Sequence, residues 1–285
     1  MNDAKTLQRD TFTIPTTSSY NCLEIDLSNI SMADSKNQKS CSIKLNETLE
    51  FQKNPKLSFD SRLEFLYPTV DENKNPLPRC LSTTDKSPKA IIDPDNPFQI
   101  EYTSEDVSVE DIYNFHDNAN IRANNIIPLT TGIYYFEIKV LSKGEKGRPY
   151  IGLTPSSSNL ERAPGWDWNT YGYHGDDGKS FANQSQGQAY GPTFSRGDVV
   201  GCGVNFENQT CFFTKNGSSL GIAFRDMPMT GLYPTVGVGS RNESLEVNFG
   251  QHPFVYNISM EKILHEAHTA DLKMKRKNSI KRKLR

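Results

Sequence analysis

Apolar and polar residues alternate with a period of two through the middle of the chain, the spacing that puts successive side chains on opposite faces of a strand. Ile133–Val140 shows it most clearly. Tyr134, Phe136, Ile138 and Val140 make one wholly apolar face, which is expected to meet a core, while the other face carries Glu137 and Lys139. Phe98–Tyr102 alternates in the same way, and Tyr150–Leu153 is a short apolar run. Val199–Phe206 and Thr210–Thr214 flank Glu207-Asn208-Gln209, which reads as a hairpin by length and turn residues. Asn216-Gly217 is the strongest turn signal, because a type I′ turn needs positive φ at both central positions. Leu232–Val238 and Leu245–Phe249 complete the set, with Arg241-Asn242-Glu243 as the turn between them. Short strands at this spacing predict an all-β antiparallel sandwich. Helical spacing enters only after Ser259, where Ile263, Leu264 and Ala267 fit one face of a short helix that runs into a basic tail.

The flanks differ from this body. Residues 1–60 are rich in Ser, Thr, Asn and Lys, and apolar residues come in islands such as Leu23–Leu27 and Ile43–Leu45. A weak strand fits those islands, but the composition favours disorder. Leu63-Glu64-Phe65-Leu66-Tyr67-Pro68 reads as a short docking segment, and Pro76 and Pro78 mark a boundary. Three parts are expected: 1–74 largely disordered, 75–258 the sandwich, and 259–285 a helix and basic tail. A hydrophobic content of 35% fits polar extensions around a smaller core.

The net charge of −2 conceals an asymmetry. Residues 272–285 hold eight basic residues and no acidic one; removing these eight from the 32 leaves 24 against 34 acidic, so residues 1–271 carry −10. The body is not expected to attract nucleic acid, and no specific nucleic-acid contact is expected of the tail. Lys275-Arg276-Lys277 and Lys281-Arg282-Lys283 have the look of a nuclear-import patch that an import receptor would read; a non-specific acidic contact and a merely solvated end are the other readings. No signal-peptide pattern and no run of about 18 apolar residues is present, so neither secretion nor a membrane span is expected. Five cysteines in an intracellular chain point to free thiols, with Cys202 and Cys211 facing each other on neighbouring strands. The Asn-x-Ser/Thr triplets, such as Asn208-Gln209-Thr210, carry no weight in such a compartment.

Candidate chemistry is sparse. His174-Gly175-Asp176-Asp177-Gly178 offers one imidazole and two carboxylates, too few for a zinc or calcium shell, and reads as a tight turn. None of the five histidines sits in a nucleophile motif, and Gly-x-Ser-x-Gly and phosphate-cradling loops are absent. Cys202 between Gly201 and Gly203 reads as a buried thiol. No catalytic residue, metal or cofactor is expected. Trp166 and Trp168, the only tryptophans, sit in a long loop after Pro164-Gly165. One is expected to pack on the sandwich edge and the other to be exposed, as loop aromatics that anchor a bound peptide are.

A family resemblance adds to this. Gly132–Val140, Pro164-Gly165-Trp166, Tyr171–Gly178, Tyr190–Phe194, Gly197–Cys202, Thr214–Gly217, Leu220–Phe224, Leu232–Gly237 and Asn248–Phe254 resemble, in order, the SPRY domain in the form found in RanBPM-like Ran-binding proteins, and Leu77-Pro78-Arg79 resembles its lead-in. The likeness covers roughly residues 75 to 258. It implies a concanavalin-like sandwich whose loops form a shallow cleft for a short peptide segment of a protein partner. Matched residue by residue, that cleft falls at Arg122, Asn124, Trp166, Trp168, Tyr173, Ser240 and Arg241, with Arg122 meeting a carboxylate or carbonyl of the partner. RanBPM-like proteins continue into LisH, CTLH and CRA regions, which this sequence lacks; through them the family implies an adaptor role in substrate recruitment and partners among ubiquitin ligase subunits. A cytoplasmic location, extended to the nucleus by the tail, follows. The competing reading is a lectin-like carbohydrate-binding sandwich, against which stands the lack of an acidic loop rich enough for calcium.

Overall fold

Among the described residues fourteen strands sort into two sheets of seven, and every neighbouring pair is antiparallel. The first sheet runs β1 (Leu81–Lys86), β4 (Ala119–Ala123), β13 (Tyr233–Val238), β6 (Tyr150–Thr154), β7 (Tyr171–His174), β8 (Lys179–Ala182), β9 (Gln188–Ala189). The second runs β12 (Ser218–Phe224), β11 (Thr210–Lys215), β10 (Val199–Asn205), β5 (Ile133–Lys143), β14 (Glu243–Asn248), β3 (Gln99–Tyr102), β2 (Ala90–Ile92). This is a computed structural model, and it describes residues 54–103, 118–228 and 231–283. The islands at Leu23–Leu27 and Ile43–Leu45 lie outside the described residues.

The core sits between the sheets, where the alternation puts it. Tyr134, Phe136, Ile138 and Val140 of β5 share their face with Val200, Cys202 and Val204 of β10, with Cys211 and Phe213 of β11, and with Leu245 and Val247 of β14. The first sheet answers with Ile121, Val236, Val238, Ile151, Leu153, Tyr171 and Tyr173. Each aliphatic or aromatic side chain so buried stabilises the fold by about 1.5–3 kcal/mol. The hairpins form as expected. Asn216 and Gly217 have φ of 49° and 81°, the signature that β-branched residues cannot adopt cheaply, and they join β11 to β12.

The face of β5 that carries Glu137 is also covered. Segment 249–258 folds back over it: Phe254 and Tyr256 pack against Tyr135, with centroids 5.0 and 5.5 Å away. The Glu137 carboxylate accepts from the backbone N–H of Val255 (3.0 Å) and Tyr256 (2.9 Å) and from the Tyr135 hydroxyl (2.9 Å). Burial pushes its pKa up while these three donors pull it down.

Two helices differ from expectation. The segment Leu63–Pro68, expected to dock, does so largely as a helix: α1 (Phe59–Leu66) begins at Ser58, whose hydroxyl accepts from the Ser61 N–H. Its Leu63 and Leu66, with Tyr67, belong to the same core as the strands, so packed structure starts ahead of the boundary expected at residue 75. The Tyr67 hydroxyl bridges the backbone N–H and C=O of Tyr135, at 3.2 and 3.3 Å, where β5 runs past the end of β14. The second helix, α2 (Ile258–Lys283), has 26 residues rather than the short run marked by Ile263, Leu264 and Ala267. Lys and Arg are good helix formers, so the helix outlasts its apolar face. No helix among the described residues is long and apolar enough to cross a membrane.

Candidate functional site

On the first sheet, the residues that alternate away from the core are Asn120 and Arg122 (β4), Thr235 and Gly237 (β13), Tyr150, Gly152 and Thr154 (β6), and Gly172 and His174 (β7). Simple alternation would leave them in solvent, yet all nine are buried. The reason is the loop 155–170, which lies across this face as a roof. Asn120 Nδ2 donates to the carbonyls of Leu160 (2.8 Å) and Arg162 (2.9 Å). Pro164 O meets His174 Nε2 at 2.8 Å, and a Cβ on Gly172 would collide with the same carbonyl, so only glycine admits the loop there.

Arg122 is the roof's pin. It is 1% exposed and its donors are spent inside the protein. Nε donates to Thr154 Oγ1 (3.1 Å), Nη1 to Asp85 Oδ1 (2.6 Å), and Nη2 to both the carbonyl (2.7 Å) and the hydroxyl (2.6 Å) of Ser158. The expected carboxylate partner is thus the chain's own Asp85, not a ligand's. The roof is further tied within itself: the Thr170 hydroxyl donates to Asp167 O and accepts from the N–H groups of Gly165 and Asp167, and Arg162 pairs with Asp167 at 2.6 Å.

The two tryptophans divide as expected. Trp166 is half-buried against His174 and Phe181, at 5.9 and 6.3 Å. Trp168 is 76% exposed, the most exposed large apolar side chain among the described residues. Tyr173, matched to the cleft by resemblance, points the other way, into the core, where it meets Tyr190, Phe194 and Phe213 and donates to Pro192 O. Asn124 is exposed, but its side-chain oxygen accepts from the N–H groups of Arg79 (2.9 Å) and Cys80 (3.3 Å).

Strand register separates the rest. Tyr233 lies opposite Thr154, so the β13 start, Asn124 and the roots of the roof share one end of the sheet. Ser240 and Arg241 follow Val238 at the other end, past roughly 17 Å of strand. Ser240 is buried, its hydroxyl accepting from Lys146 N–H (3.1 Å), and Arg241 is half-buried. The seven residues therefore do not line one cleft: Trp168 and Asn124 are accessible, Trp166 partly so, and Arg122 and Tyr173 are structural. Ser158, Thr154 and Asp85, which hold Arg122, had no signal in the sequence beyond being polar.

Near that second end, Glu243 is fully buried. Its Oε2 accepts from Gly239 N–H (2.7 Å), and burial, with Asp176 adding like charge, pushes its pKa up to about 8. His174, under the roof, is pulled down to about 4 by burial. Residues 175–178 make the β7–β8 turn, with Gly178 at φ 69°. The Cys202 and Cys211 sulfurs lie 3.9 Å apart in the core, on diagonal positions of β10 and β11. Among the described residues no three His, Cys, Asp or Glu side chains are placed to hold a metal.

The chain is similar to known proteins over this region. Residues 133–252 match the SPRY domain model. Ran-binding protein 9 of Mus musculus is 50% identical over 197 residues, which is 69% of this chain and 29% of the mouse protein. The Drosophila melanogaster homolog of Ran-binding proteins 9/10 is 49% identical over 195 residues, 68% of this chain and 19% of that protein. The chain thus spans less than a third of the length of these relatives. A solved human SPRY domain superposes with a TM-score of 0.48 at 28% identity, over 56% of this chain and 95% of its own. Residues 133–252 thus resemble a SPRY domain, a protein-interaction domain, and the chain is about half identical to Ran-binding protein 9 over the 197 residues aligned.

Proposed function

We propose that the chain is a non-catalytic adaptor that holds a short peptide segment of a protein partner against the roof loop, and that it recruits substrate to a multi-subunit ubiquitin ligase. The observation that carries this reading is Trp168: a large aromatic standing in solvent on a loop that is fastened from below by Arg122, Asn120 and His174. A rigid aromatic supplies contact area at low entropy cost, and the loop under it needs little ordering when a partner arrives. A peptide docked there buries roughly 500–800 Å² per side, the small end for specific interfaces, with micromolar affinity.

The test is calorimetry with a partner captured from the native cell. Trp168→Ala is expected to weaken binding about tenfold or more while the melting temperature moves by no more than about 1 °C, since an exposed side chain contributes little to folding. Unchanged affinity would remove the roof as the docking surface. The ligase assignment is tested separately, by co-purification with ubiquitin ligase subunits, and is lost if none accompanies the full-length protein.

A further inference from the structure

Away from the roof, a buried cation lacks a counter-charge. Arg62 of α1 is 4% exposed. Its Nη2 donates to Asn54 O at 2.5 Å, but among the described residues no carboxylate pairs with the guanidinium, and Nε has no hydrogen-bond partner. Ser259, in the first turn of α2, is 5% exposed and its hydroxyl also has no partner. Both residues line the same cavity of about 20 Å³, whose remaining wall includes Phe65, His252, Pro253 and Phe254. Buried arginines are ordinarily paired, because an isolated charge in a low-dielectric site costs several kcal/mol.

The helix terminus and the cations at this cavity favour an anion. Ser259 stands at the N-terminal end of a 26-residue helix, where the macrodipole is positive. Lys262, one turn further on, donates to Leu66 O and lies 4.0 Å over the Tyr67 ring. Of the carboxylates on the same helices, Asp60 pairs with Arg79 at 2.5 Å, Glu261 accepts from the Tyr256 hydroxyl at 2.8 Å, and Glu64 stands exposed on α1 without pairing to Arg62. A cavity of this size admits one water-sized group, such as a water or one oxygen of a carboxylate. A neutral water would satisfy the two donors and leave the charge unbalanced; a carboxylate does both.

We propose that Arg62 and Ser259 form a carboxylate site that receives an aspartate or glutamate side chain of a protein partner. Size decides between a side chain and a free organic acid. The cavity admits only the tip of a carboxylate, so the rest of the ligand must lie on the lip, and that lip is apolar, with Phe65 36% exposed beside Pro253 and Phe254. A peptide covers such a lip; a small acid gains nothing from it. The site is independent of Trp168 and of the roof.

The experiment uses the full chain with ¹⁵N-labelled arginine, following the Arg62 Nε–H resonance, which is assigned by its loss in Arg62→Lys. Acetate and the blocked dipeptide acetyl-Leu-Asp-amide are titrated at constant ionic strength, with acetyl-Leu-Asn-amide as the uncharged control. Saturable shifts with both acids, tighter for the dipeptide, are expected, with none from the Asn control. Ser259→Ala, a mild change in a helix, is expected to weaken the dipeptide about tenfold through loss of one hydrogen bond to a charged group. A shift that never saturates, or that the Asn control reproduces, overturns the carboxylate site. Acetate binding more tightly than the dipeptide overturns the side-chain source.

Discussion

Arg122→Met should loosen the roof before it loosens anything else. Methionine retains much of the arginine's volume, so the loss is mainly of hydrogen bonds. Thr154 Oγ1 keeps its contact with Thr235 Oγ1 at 2.7 Å, and the Ser158 hydroxyl keeps Pro155 O at 3.1 Å. Two acceptors lose their donor: the Ser158 carbonyl, and Asp85, whose side chain is 40% exposed and can turn to water. A half-buried carbonyl left without its donor costs up to about 1–3 kcal/mol, while the half-exposed ion pair adds at most about 1 kcal/mol after screening. Relief of the desolvation of a buried cation pulls the other way, so the net is about 2 kcal/mol. For a body of this size that is a fall of roughly 4–8 °C in melting temperature. The assay has a local reporter, because the chain's only two tryptophans both lie in the roof. Release of the loop should bring Trp166 off His174 and Phe181 into water and shift the emission to the red. A variant that melts like the parent with unshifted emission would show that Arg122 does not fasten the loop.

Other outcomes follow from the same physics. Glu243 has a folded pKa near 8 against about 4.5 unfolded, so its stabilising contribution is complete below 4.5 and is lost as pH rises to 8. His174, lowered to about 4 from 6.5, has the opposite slope between 4 and 6.5, and above 6.5 only Glu243 of the two still titrates. Glu243→Gln should therefore raise the melting temperature at pH 8 more than at pH 5, and equal gains at both would refute the assignment. Limited trypsinolysis should leave a resistant fragment that begins after Lys53 or Lys56, because Arg62 is buried in α1; early cleavage at Arg62 in the N-terminal sequence of the fragments would contradict the packing of that helix. Deleting Lys273–Arg285 removes eight positive charges and should move a fluorescent fusion out of the nucleus, and an unchanged distribution would leave the tail as a solvated end.

The sandwich was legible because its strands obey one simple rule at a time. β5, β10, β11 and β14 each put an apolar face inward, and Asn216-Gly217 can form little else than the turn it forms. The site was less legible, for a reason of the same kind. Alternation places Glu137 outside the sandwich, which is correct, but it says nothing of what lies over the outside. The loop 155–170 has no periodicity, and its grip on Asn120 and Arg122 is made mostly by backbone carbonyls, which every sequence has. Tyr173 was misplaced for a different reason: it lies in a stretch matched to the family, Tyr171–Gly178, and the match carries no information about which face a side chain takes. Arg62 escaped notice because its pairing, or lack of it, is settled by residues nearly two hundred positions away.

The roof has two sides with different obligations. Its underside, Ser158, Leu160, Arg162 and Pro164, answers to the sheet beneath, and a change there is felt in folding. Its upper side, where Trp168 stands, answers to nothing inside the molecule. A lineage could therefore rewrite what the upper side recognises, one exposed residue at a time, without spending stability, and duplicated copies of the domain could part in binding taste while remaining the same fold.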